Sequence, residues 1–247
     1  MATQLTIVND VLRRLREKQV SSVASSDYSA LIGSFVNDAK EDLEDMWFWT
    51  VNETSYDTTI TSDGTTSYDL SSTTDRSFLI RYIQDDIPMA YDVTTNENTQ
   101  LYDVPLKYTH QFQDTFVGTA QTLDRPIYFS IAPAADGRGY GLELMQGASS
   151  TRTWRTYWYT PQAGLALDGT DDDTSILLPE RPIFLRTLFY AMNERGEEMG
   201  EPGSILDRKA ADSAAAAMEL DMQVNKKSEE KTLTNLEALR NDIMSGW

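Results

Sequence analysis

Apolar residues recur at helical spacing over the first 49 residues of the chain. The first set is separated by three or four residues and predicts an amphipathic helix. It consists of Leu5, Val8, Leu12 and Leu15. A serine-rich break follows, and either Ser26 or Asp27 is suited to cap a second helix. This helix is predicted to run for about 20 residues, or roughly 30 Å. Its apolar positions are Tyr28, Leu31, Ile32, Phe35, Val36, Ala39, Leu43, Met46 and Trp47.

The pattern changes after Trp49 to short runs of Thr, Ser, Tyr and Val that are separated by turn signals. Asp63-Gly64 lies between two β-prone runs, which predicts a hairpin. A further strand is predicted from Gln100 to Thr109. Other candidate strands begin near Phe78, Pro126, Gly141 and Thr153. These runs predict a mainly antiparallel β domain in the middle of the chain.

Helical spacing returns at Pro182, which is acceptable in the first turn of a helix. The stripe of this helix consists of Leu185, Leu188, Phe189 and Met192, and the sequence GEEMGEPG is expected to end it. The next stripe consists of Leu206, Ala210, Ala214, Ala217, Leu220 and Val224. An unbroken helix from Ser204 to Ile243 would be about 60 Å long. Either the sequence NKKSEE breaks this helix, or its end projects towards a partner.

These patterns predict an α+β fold, in which N- and C-terminal helices form a helical bundle and the central domain is mainly antiparallel β. We expect residues 1–49 and 180–247 to form the helical domain and residues 50–179 to form the β-rich domain. The hydrophobic content of 40% is ample for a buried core.

The formal net charge of −18 narrows the range of partners. Tight nucleic-acid binding needs clustered Lys and Arg that release counterions from phosphates. We therefore expect DNA to pass the protein without specific binding, or the charge to serve solubility alone. No apolar run approaches the roughly 18 to 20 residues that cross a bilayer, and the opening residues lack the pattern of a signal peptide. No membrane contact is expected.

The residue types in the chain exclude several kinds of chemistry. Cysteine is absent and His110 is the single histidine, so disulfides, thiolate nucleophiles and histidine clusters are excluded. His110 itself is expected to be a polar loop or core residue. We therefore predict no catalytic residue, no cofactor and no metal site, and we do not expect an enzyme.

Two glycine-containing motifs are similar to binding loops. The sequence at 137–141, Gly-Arg-Gly-Tyr-Gly, is followed by β-like residues, so we interpret it as a turn between strands and not as a dinucleotide site. The sequence at 168–173 offers oxygen ligands for a calcium ion but lacks the spacing of an EF-hand. It is interpreted as an exposed acidic turn, with an ion site as the alternative.

An aromatic group occupies the last predicted strand. Trp154 and Trp158 fall on one face of that strand, and Tyr157 and Tyr159 fall on the other. A sheet that is covered on both faces, or a subunit interface, accounts for this arrangement. Stacking of a bound sugar is the alternative.

Two stretches of helix carry a recognisable pattern. The first is TIVNDVLRRLRE, which is followed by YSALIGSFVNDAKEDLEDMWFW and then by Thr-rich strands. The second is RPIFLRTLFYAMNERGEEMGEPGSILDRKAADSAAAAMELD, with its ERGEEMG link and its Ala-rich run. Both stretches resemble the head-to-tail adaptors of short-tailed phages (podoviruses), the tail tubular protein A type. The order of helix pair, β domain and ERGE helix is also that of the family.

The resemblance implies a structural virion protein of the neck or tail, made in the host cytoplasm and lacking any catalytic motif. It implies a ring of about twelve subunits around the DNA ejection channel. The expected partners are the portal protein, the tail nozzle protein, a tail fibre or spike, and neighbouring copies. The alternatives are another neck or tail-completion protein, a carbohydrate-binding β domain, and a glycosidase that uses two of the 39 acidic residues.

The last segment of the chain carries the candidate interface. Apolar residues recur there at spacings of three or four on an otherwise polar background, and they are Leu233, Leu236, Leu239, Ile243 and Trp247. Such a stripe needs a surface to cover it. We expect it either to dock on the portal or a neighbouring subunit, or to pack on the helices of its own subunit. Aromatic residues often dominate interface energies, so Trp247 is a suitable anchor.

Overall fold

The structure is a computed structural model that describes residues 2–70, 73–74, 76–81, 86–94, 98–115, 122–134, 139–196 and 205–223. Its α-helices are α1 (Gln4–Arg14), α2 (Asp27–Met46), α3 (Leu106–Thr115), α4 (Glu180–Glu194) and α5 (205–223). Short 3-10 helices cover Val23–Ser25 and Thr50–Asn52. Its strands are β1 (Glu53–Ile60), β2 (Ser67–Leu70), β3 (Phe78–Leu79), β4 (Ala90–Asp92), β5 (Thr99–Gln100), β6 (Tyr102–Asp103), β7 (Thr122–Leu123), β8 (Tyr128–Pro133), β9 (Tyr140–Leu144), β10 (Gly147–Ala148) and β11 (Arg152–Tyr159).

The predicted α+β fold is confirmed, with helices in the N- and C-terminal regions and a central, mainly antiparallel β region. The chain divides into two compact units. The helical unit comprises residues 1–51 and 164–247, and the β unit comprises residues 52–163. Within the described ranges, none of the helices has both the length and the apolar character that crossing a membrane requires.

Side-chain caps fix the starts of α1 and α2. The Thr3 hydroxyl accepts a hydrogen bond from the Thr6 backbone N–H at 3.3 Å. The Ser26 hydroxyl accepts one from the Ser29 N–H at 3.1 Å, and the Ser29 hydroxyl accepts one from the Ser26 N–H at 3.0 Å, which completes a capping box. Of the two predicted caps of α2, Ser26 is therefore the actual one. Asp27 is the first helical residue, where a negative charge suits the helix dipole.

The core of the helical unit lies where α1, α2 and α4 pack together. The stripes predicted for α1 and α2 supply much of it, and their buried members are Val8, Leu12, Leu15, Ile32, Val36, Ala39 and Leu43. Trp49 closes this core just beyond α2. Its ring is 2% exposed, and its indole N–H donates to the Leu43 carbonyl at 2.7 Å.

The segment 164–179 is bound to the helical unit by polar and apolar contacts. The Asn37 side chain donates to the Leu165 carbonyl at 2.8 Å and accepts from the Leu165 N–H at 2.9 Å. Leu165, Ile176 and Leu178 are buried in the helical core. The sequence-based limits assign this segment to the β-rich domain, whereas in the structure it packs with the helices because of these contacts.

The β unit contains a five-stranded sheet, a four-stranded sheet and the parallel pair β7 and β10. In the five-stranded sheet β11 pairs antiparallel with β1, β3 and β4, and β4 pairs with β5. The four-stranded sheet has the order β2-β9-β8-β6, in which β6 and β8 are parallel. Buried residues of both sheets form one core; they include Ile60, Phe129, Leu142, Leu144, Trp154 and Trp158.

The predicted hairpin at Asp63-Gly64 is wrong in its pairing. Strand β1 pairs with β11, and β2 pairs with β9 in the other sheet. The turn itself is present, because Asp63 Oδ1 accepts from the Thr65 N–H at 2.9 Å and Gly64 has a φ of +82°. A two-residue connection would hold both strands in one sheet, but residues 61–66 form a longer connection that lets β2 join the second sheet.

The strand predicted from Gln100 to Thr109 is also wrong. Strands β5 and β6 are short, and helix α3 begins at Leu106. Pro105 has no N–H for a strand ladder but is tolerated at a helix start, and its carbonyl accepts from the Tyr108 N–H at 2.8 Å. Thr109 on α3 is fully buried, where its hydroxyl is hydrogen-bonded to that of Ser130.

The stripe predicted for α4 is only partly correct. The helix buries Pro182, Ile183, Thr187, Leu188 and Ala191, and Met192 packs against the same core while partly buried, so Leu188 and Met192 of the predicted stripe are correct. The reason is that α4 packs against both α1 and α2, and the face between them is not its most apolar one. The expected end of this helix is confirmed, since Gly196 follows it with a φ of +68° and donates to the Asn193 carbonyl.

Helix α2 holds an ion pair in the interior of the helical unit, which generates the first prediction. Lys40 Nζ lies 3.5 Å from Glu44 Oε1, and both side chains are fully buried. Removing one partner leaves a buried charge without the other, which typically costs about 3–5 kcal/mol. We predict that Glu44→Leu lowers the free energy of unfolding by about this amount, and that Lys40→Met combined with Glu44→Leu recovers most of the loss. Denaturant unfolding of both variants checks this, and equal losses would contradict it.

Candidate docking surface on the helical unit

A polar cluster attaches α5 to α2 and α4. Arg186 of α4 donates to Asp207 of α5, and its Nε lies 3.3 Å from Asp42 Oδ2 of α2. The Tyr190 hydroxyl donates to Asp42 and accepts from Arg186 Nε at 3.0 Å. Burial and the bond to Asp42 raise the pKa of the Tyr190 hydroxyl. Burial acts to lower the pKa of the Arg186 guanidinium, but Tyr190, Asp207 and Asp42 together raise it, so this cation stays charged.

A second attachment lies near residue 221 of α5. Asp221 Oδ2 accepts from the Trp47 indole N–H at 2.9 Å and from the Thr50 backbone N–H at 3.2 Å. Between the two attachments Ala210 and Ala214 are each 4% exposed, and their small side chains let the helix approach closely. These contacts fix α5 beside the C-terminal end of α2.

Exposed apolar side chains gather at this end of the helical unit. They are Met46 (49% exposed), Phe48 (68%), Val51 (40%), Leu177 (36%) and Leu220 (64%), and together they are termed the apolar patch. Val51, Leu177 and Leu220 line a cavity of about 450 Å³, to which Trp49 and Leu178 also contribute. A single exposed leucine is ordinary, but a group of this kind is typical of an interaction site. The apolar patch is therefore the candidate docking surface.

The sequence prediction missed the apolar patch and assigned two of its members to buried stripes. Met46 was expected on the core face of α2 and Leu220 on that of α5, but both are exposed. A signal was present in the sequence MWFWTV at 46–51, where five of six residues are apolar or aromatic. A continuous run of this kind exceeds what one face of a helix can bury.

The five predicted interface residues, Leu233, Leu236, Leu239, Ile243 and Trp247, lie outside the described residues. Val224 and the sequence NKKSEE also lie outside them, as the description of α5 extends to residue 223. The stripe formed by Leu206, Ala210, Ala214 and Ala217 does face the helical core. The C-terminal interface thus stays a prediction.

The acidic sequence at 168–173 uses its carboxylates to bind backbone N–H groups. Asp168 Oδ1 accepts from the Thr170 N–H at 2.9 Å, and hydrogen bonds from Thr170 lower the pKa of that carboxyl. Asp171 Oδ2 accepts from the Ala166 N–H at 2.7 Å, and Asp172 Oδ1 accepts from the Val23 N–H at 3.0 Å. In the described part of the chain, no group of three or more His, Asp or Glu side chains is arranged to hold a metal ion. The carboxylates of the acidic turn thus hold backbone segments in place by hydrogen bonds.

Of the glycine-rich sequence at 137–141, residues 137 and 138 lie outside the described residues. Gly139 directly precedes β9, and Gly141 lies within β9, where it pairs with Ala132 of the antiparallel strand β8, so the interpretation as a connection between strands is confirmed. Gly139 has a φ of +94°, and a Cβ at this position would lie 2.3 Å from the Thr73 carbonyl oxygen. Close approach of two backbone segments therefore explains this glycine.

The expected loop or core position of His110 is wrong. The residue lies on α3, which extends from Leu106 to Thr115, and its side chain is 52% exposed. Its Nε2 lies 3.1 Å from Glu143 Oε2, which gives an exposed polar pair.

Three of the four aromatic residues of β11 belong to the packed interior, and Tyr157 is half-buried. Trp154 and Trp158 are fully buried, and Tyr159 is 4% exposed. Trp154 meets Phe129 edge-on with ring centroids 6.0 Å apart, and Trp158 stacks on Tyr140 at 5.8 Å. The interpretation as core is confirmed for Trp154, Trp158 and Tyr159, so these three side chains are not accessible for stacking on a sugar.

Comparison with known proteins identifies the family. No curated protein gives a significant match to the chain. The family model described as SU10 adaptor protein matches residues 2–236, which include both stretches that resemble head-to-tail adaptors. The resemblance is thereby confirmed, and because the match covers nearly the whole chain, this protein belongs to the SU10 adaptor protein family.

Proposed function

We propose that this protein forms the head-to-tail adaptor ring between the portal and the tail nozzle of a short-tailed phage. Membership of an adaptor family gives it a structural role and makes it a component of the virion. In the proposed ring, about twelve copies surround the channel through which DNA is ejected. The proposed location is the neck of the virion.

The observation that carries the proposal is the family match along residues 2–236. The apolar patch supports it with a suitable contact surface. An adaptor subunit must keep part of its apolar surface uncovered until it meets its partner, and Phe48 at 68% exposed fulfils that condition. We propose that the portal covers this surface.

The β unit is proposed to contact the nozzle and a tail fibre or spike. Its exposed aromatic residues support this assignment, as Tyr102, Tyr108 and Tyr128 are 42%, 50% and 44% exposed. Tyr102 and Tyr128 lie side by side on the paired strands β6 and β8, with ring centroids 6.2 Å apart. Tyrosine provides a large contact area at a low cost in side-chain entropy, which suits a protein interface.

We predict that the protein alone is largely monomeric and assembles into a ring on the portal. Twelve copies at −18 each would place roughly −216 charges in one ring, and a preformed partner surface has to offset that repulsion. Light scattering of the protein and negative-stain imaging of its mixture with the cognate portal test this. A stable dodecamer without portal at physiological salt, or a portal that gains no ring, would contradict the prediction.

A pair of variants tests whether the apolar patch is the portal contact. Phe48→Ser is expected to weaken portal binding at least tenfold, as loss of a central aromatic residue often does. Leu31→Ser is the matched control, because Leu31 is 36% exposed on α2 but lies outside the patch. Equal effects of both substitutions would remove the apolar patch from the proposal.

We predict that the protein does not hold duplex DNA. Binding tighter than about micromolar at 150 mM salt requires several phosphate contacts, which a channel surface without a continuous basic stripe does not provide. Fluorescence anisotropy with a labelled duplex measures the affinity. A submicromolar dissociation constant at that salt concentration would show the prediction to be wrong.

Deletion of residues 232–247 tests the predicted C-terminal interface. If Leu233, Leu236, Leu239, Ile243 and Trp247 dock on the portal, the truncated protein loses portal binding and keeps its melting temperature. If they pack on their own subunit, the truncated protein melts several degrees lower and still binds the portal. Calorimetry and a portal pull-down distinguish the two results.

A further inference from the structure

The end of α1 carries four cations within six residues. Arg13, Arg14, Arg16 and Lys18 are all exposed. Arg13 is paired with Asp10 at 2.7 Å. The other three form no ion pair with any residue that the structure describes, and they are termed the basic patch. The basic patch is locally positive on a chain whose net charge is −18.

Arg16 occupies a strained backbone position. Its φ is +60°, at the site directly after a helix where glycine is usual. The N–H of Arg16 donates to the Arg13 carbonyl at 3.2 Å and the N–H of Glu17 donates to the Leu12 carbonyl at 2.9 Å, the bonds of a Schellman end. A residue with a side chain is less stable than glycine in this conformation. The strain gives a reason to look for a function of the Arg16 charge.

A group of opposite charge lies on α2. Asp38, Glu41 and Asp45 recur at spacings of three and four, are all exposed, and are termed the acidic stripe. They occupy the side of α2 that faces away from its buried residues Ile32 and Val36. Partial burial and the neighbouring carboxylates of Glu41 and Asp42 raise the pKa of Asp38. A cation supplied from outside the subunit would relieve this repulsion.

We propose that the basic patch of one copy binds the acidic stripe of the next copy around the ring. This inference rests on the proposed function. A closed ring of more than two copies is built from heterologous contacts, in which each subunit presents two different and complementary surfaces. The end of α1 and the outward face of α2 are two such surfaces on the same unit.

A second copy of this chain fits the basic patch better than nucleic acid does. The basic patch of one copy offers three cations, fewer than the roughly 6–10 phosphate contacts of a DNA-binding protein with a steep salt dependence. The acidic stripe carries the opposite charge at exposed positions, so the two surfaces are complementary in sign. Each neighbouring copy in the ring carries one such stripe.

Charge reversal tests the proposed contact. The variant Arg14→Glu with Lys18→Glu and the variant Asp38→Lys with Glu41→Lys are each expected to load on the cognate portal at least tenfold more weakly at 150 mM salt, because like charges then face each other. The fourfold variant, and an equal mixture of the two double variants, are expected to regain loading. The double variant Arg208→Glu with Lys209→Glu on α5 is the control for the first variant, because it changes the net charge by the same amount and sign at exposed positions, and it is expected to load normally.

The outcomes separate this inference from the proposed function. Rings that tolerate every charge reversal, or losses that the fourfold variant fails to restore, overturn the inference and leave the proposed function intact. If the unaltered protein adds no ring to the portal, the proposed function fails. Sedimentation of the protein alone at high concentration then decides the inference: association that is lost in each double variant and regained in their mixture supports it, and absence of any association overturns it.

Arg16→Gly distinguishes a loss of the contact from a loss of stability. Glycine removes both the strain and one cation of the basic patch. The variant is expected to melt at the same temperature as the unaltered protein or higher, and to load on the portal several-fold more weakly. A variant that is more stable and loads normally would exclude Arg16 from the contact.

Discussion

The helical unit depends on how the segment 164–179 is fixed to helices that come far earlier in the sequence. Asn37 binds both backbone groups of Leu165 across 128 positions of the chain. Asp172 accepts from the Val23 N–H with its carboxylate and from the Leu5 N–H with its carbonyl. The segment also supplies Leu177 to the apolar patch. The candidate docking surface combines distant parts of the chain and therefore depends on these long-range hydrogen bonds.

The acidic residues of this chain serve different physical purposes, which its net charge conceals. Asp92 is fully buried in the β unit, where Arg125 and Arg152 lie 3.4 and 3.6 Å from its Oδ2. Asp172 caps backbone groups, and Asp221 attaches a helix. The acidic stripe on α2, in contrast, faces solvent. Asp92, Asp172 and Asp221 are thus engaged within the subunit, so the composition overstates the acidic surface.

The sequence correctly predicted the elements that depend on local side-chain chemistry. Its predictions were wrong where contacts between distant parts of the chain determine the structure. The buried stripe of α2 and the cap at Ser26 follow from spacing and side-chain chemistry within a few residues. The separation of β1 and β2 into two sheets depends on distant partner strands. The formation of α3 depends on Pro105 and on the burial of Thr109 against Ser130. The apolar patch was missed for a related reason: Leu220 continues a regular stripe, but the helical core ends before it.

Two features of the helical unit reduce the stability of the isolated subunit and lie at opposite ends of α4. The start of α4 adjoins Met46 of the apolar patch, since Pro182 and Met46 line one groove. Just beyond its end, Arg195 Nη1 contacts the Leu15 carbonyl beside the basic patch, at 3.4 Å. A helix of 15 residues is about 22 Å long, so the exposed apolar side chains and the strained Arg16 cannot serve one small contact. In the proposed ring, each subunit needs one contact along the ring axis and another around the ring. Hydrophobic burial suits the axial contact with a preformed partner. Paired charges suit the contact between identical copies, because the spacing of the charges selects a single relative orientation of the two copies.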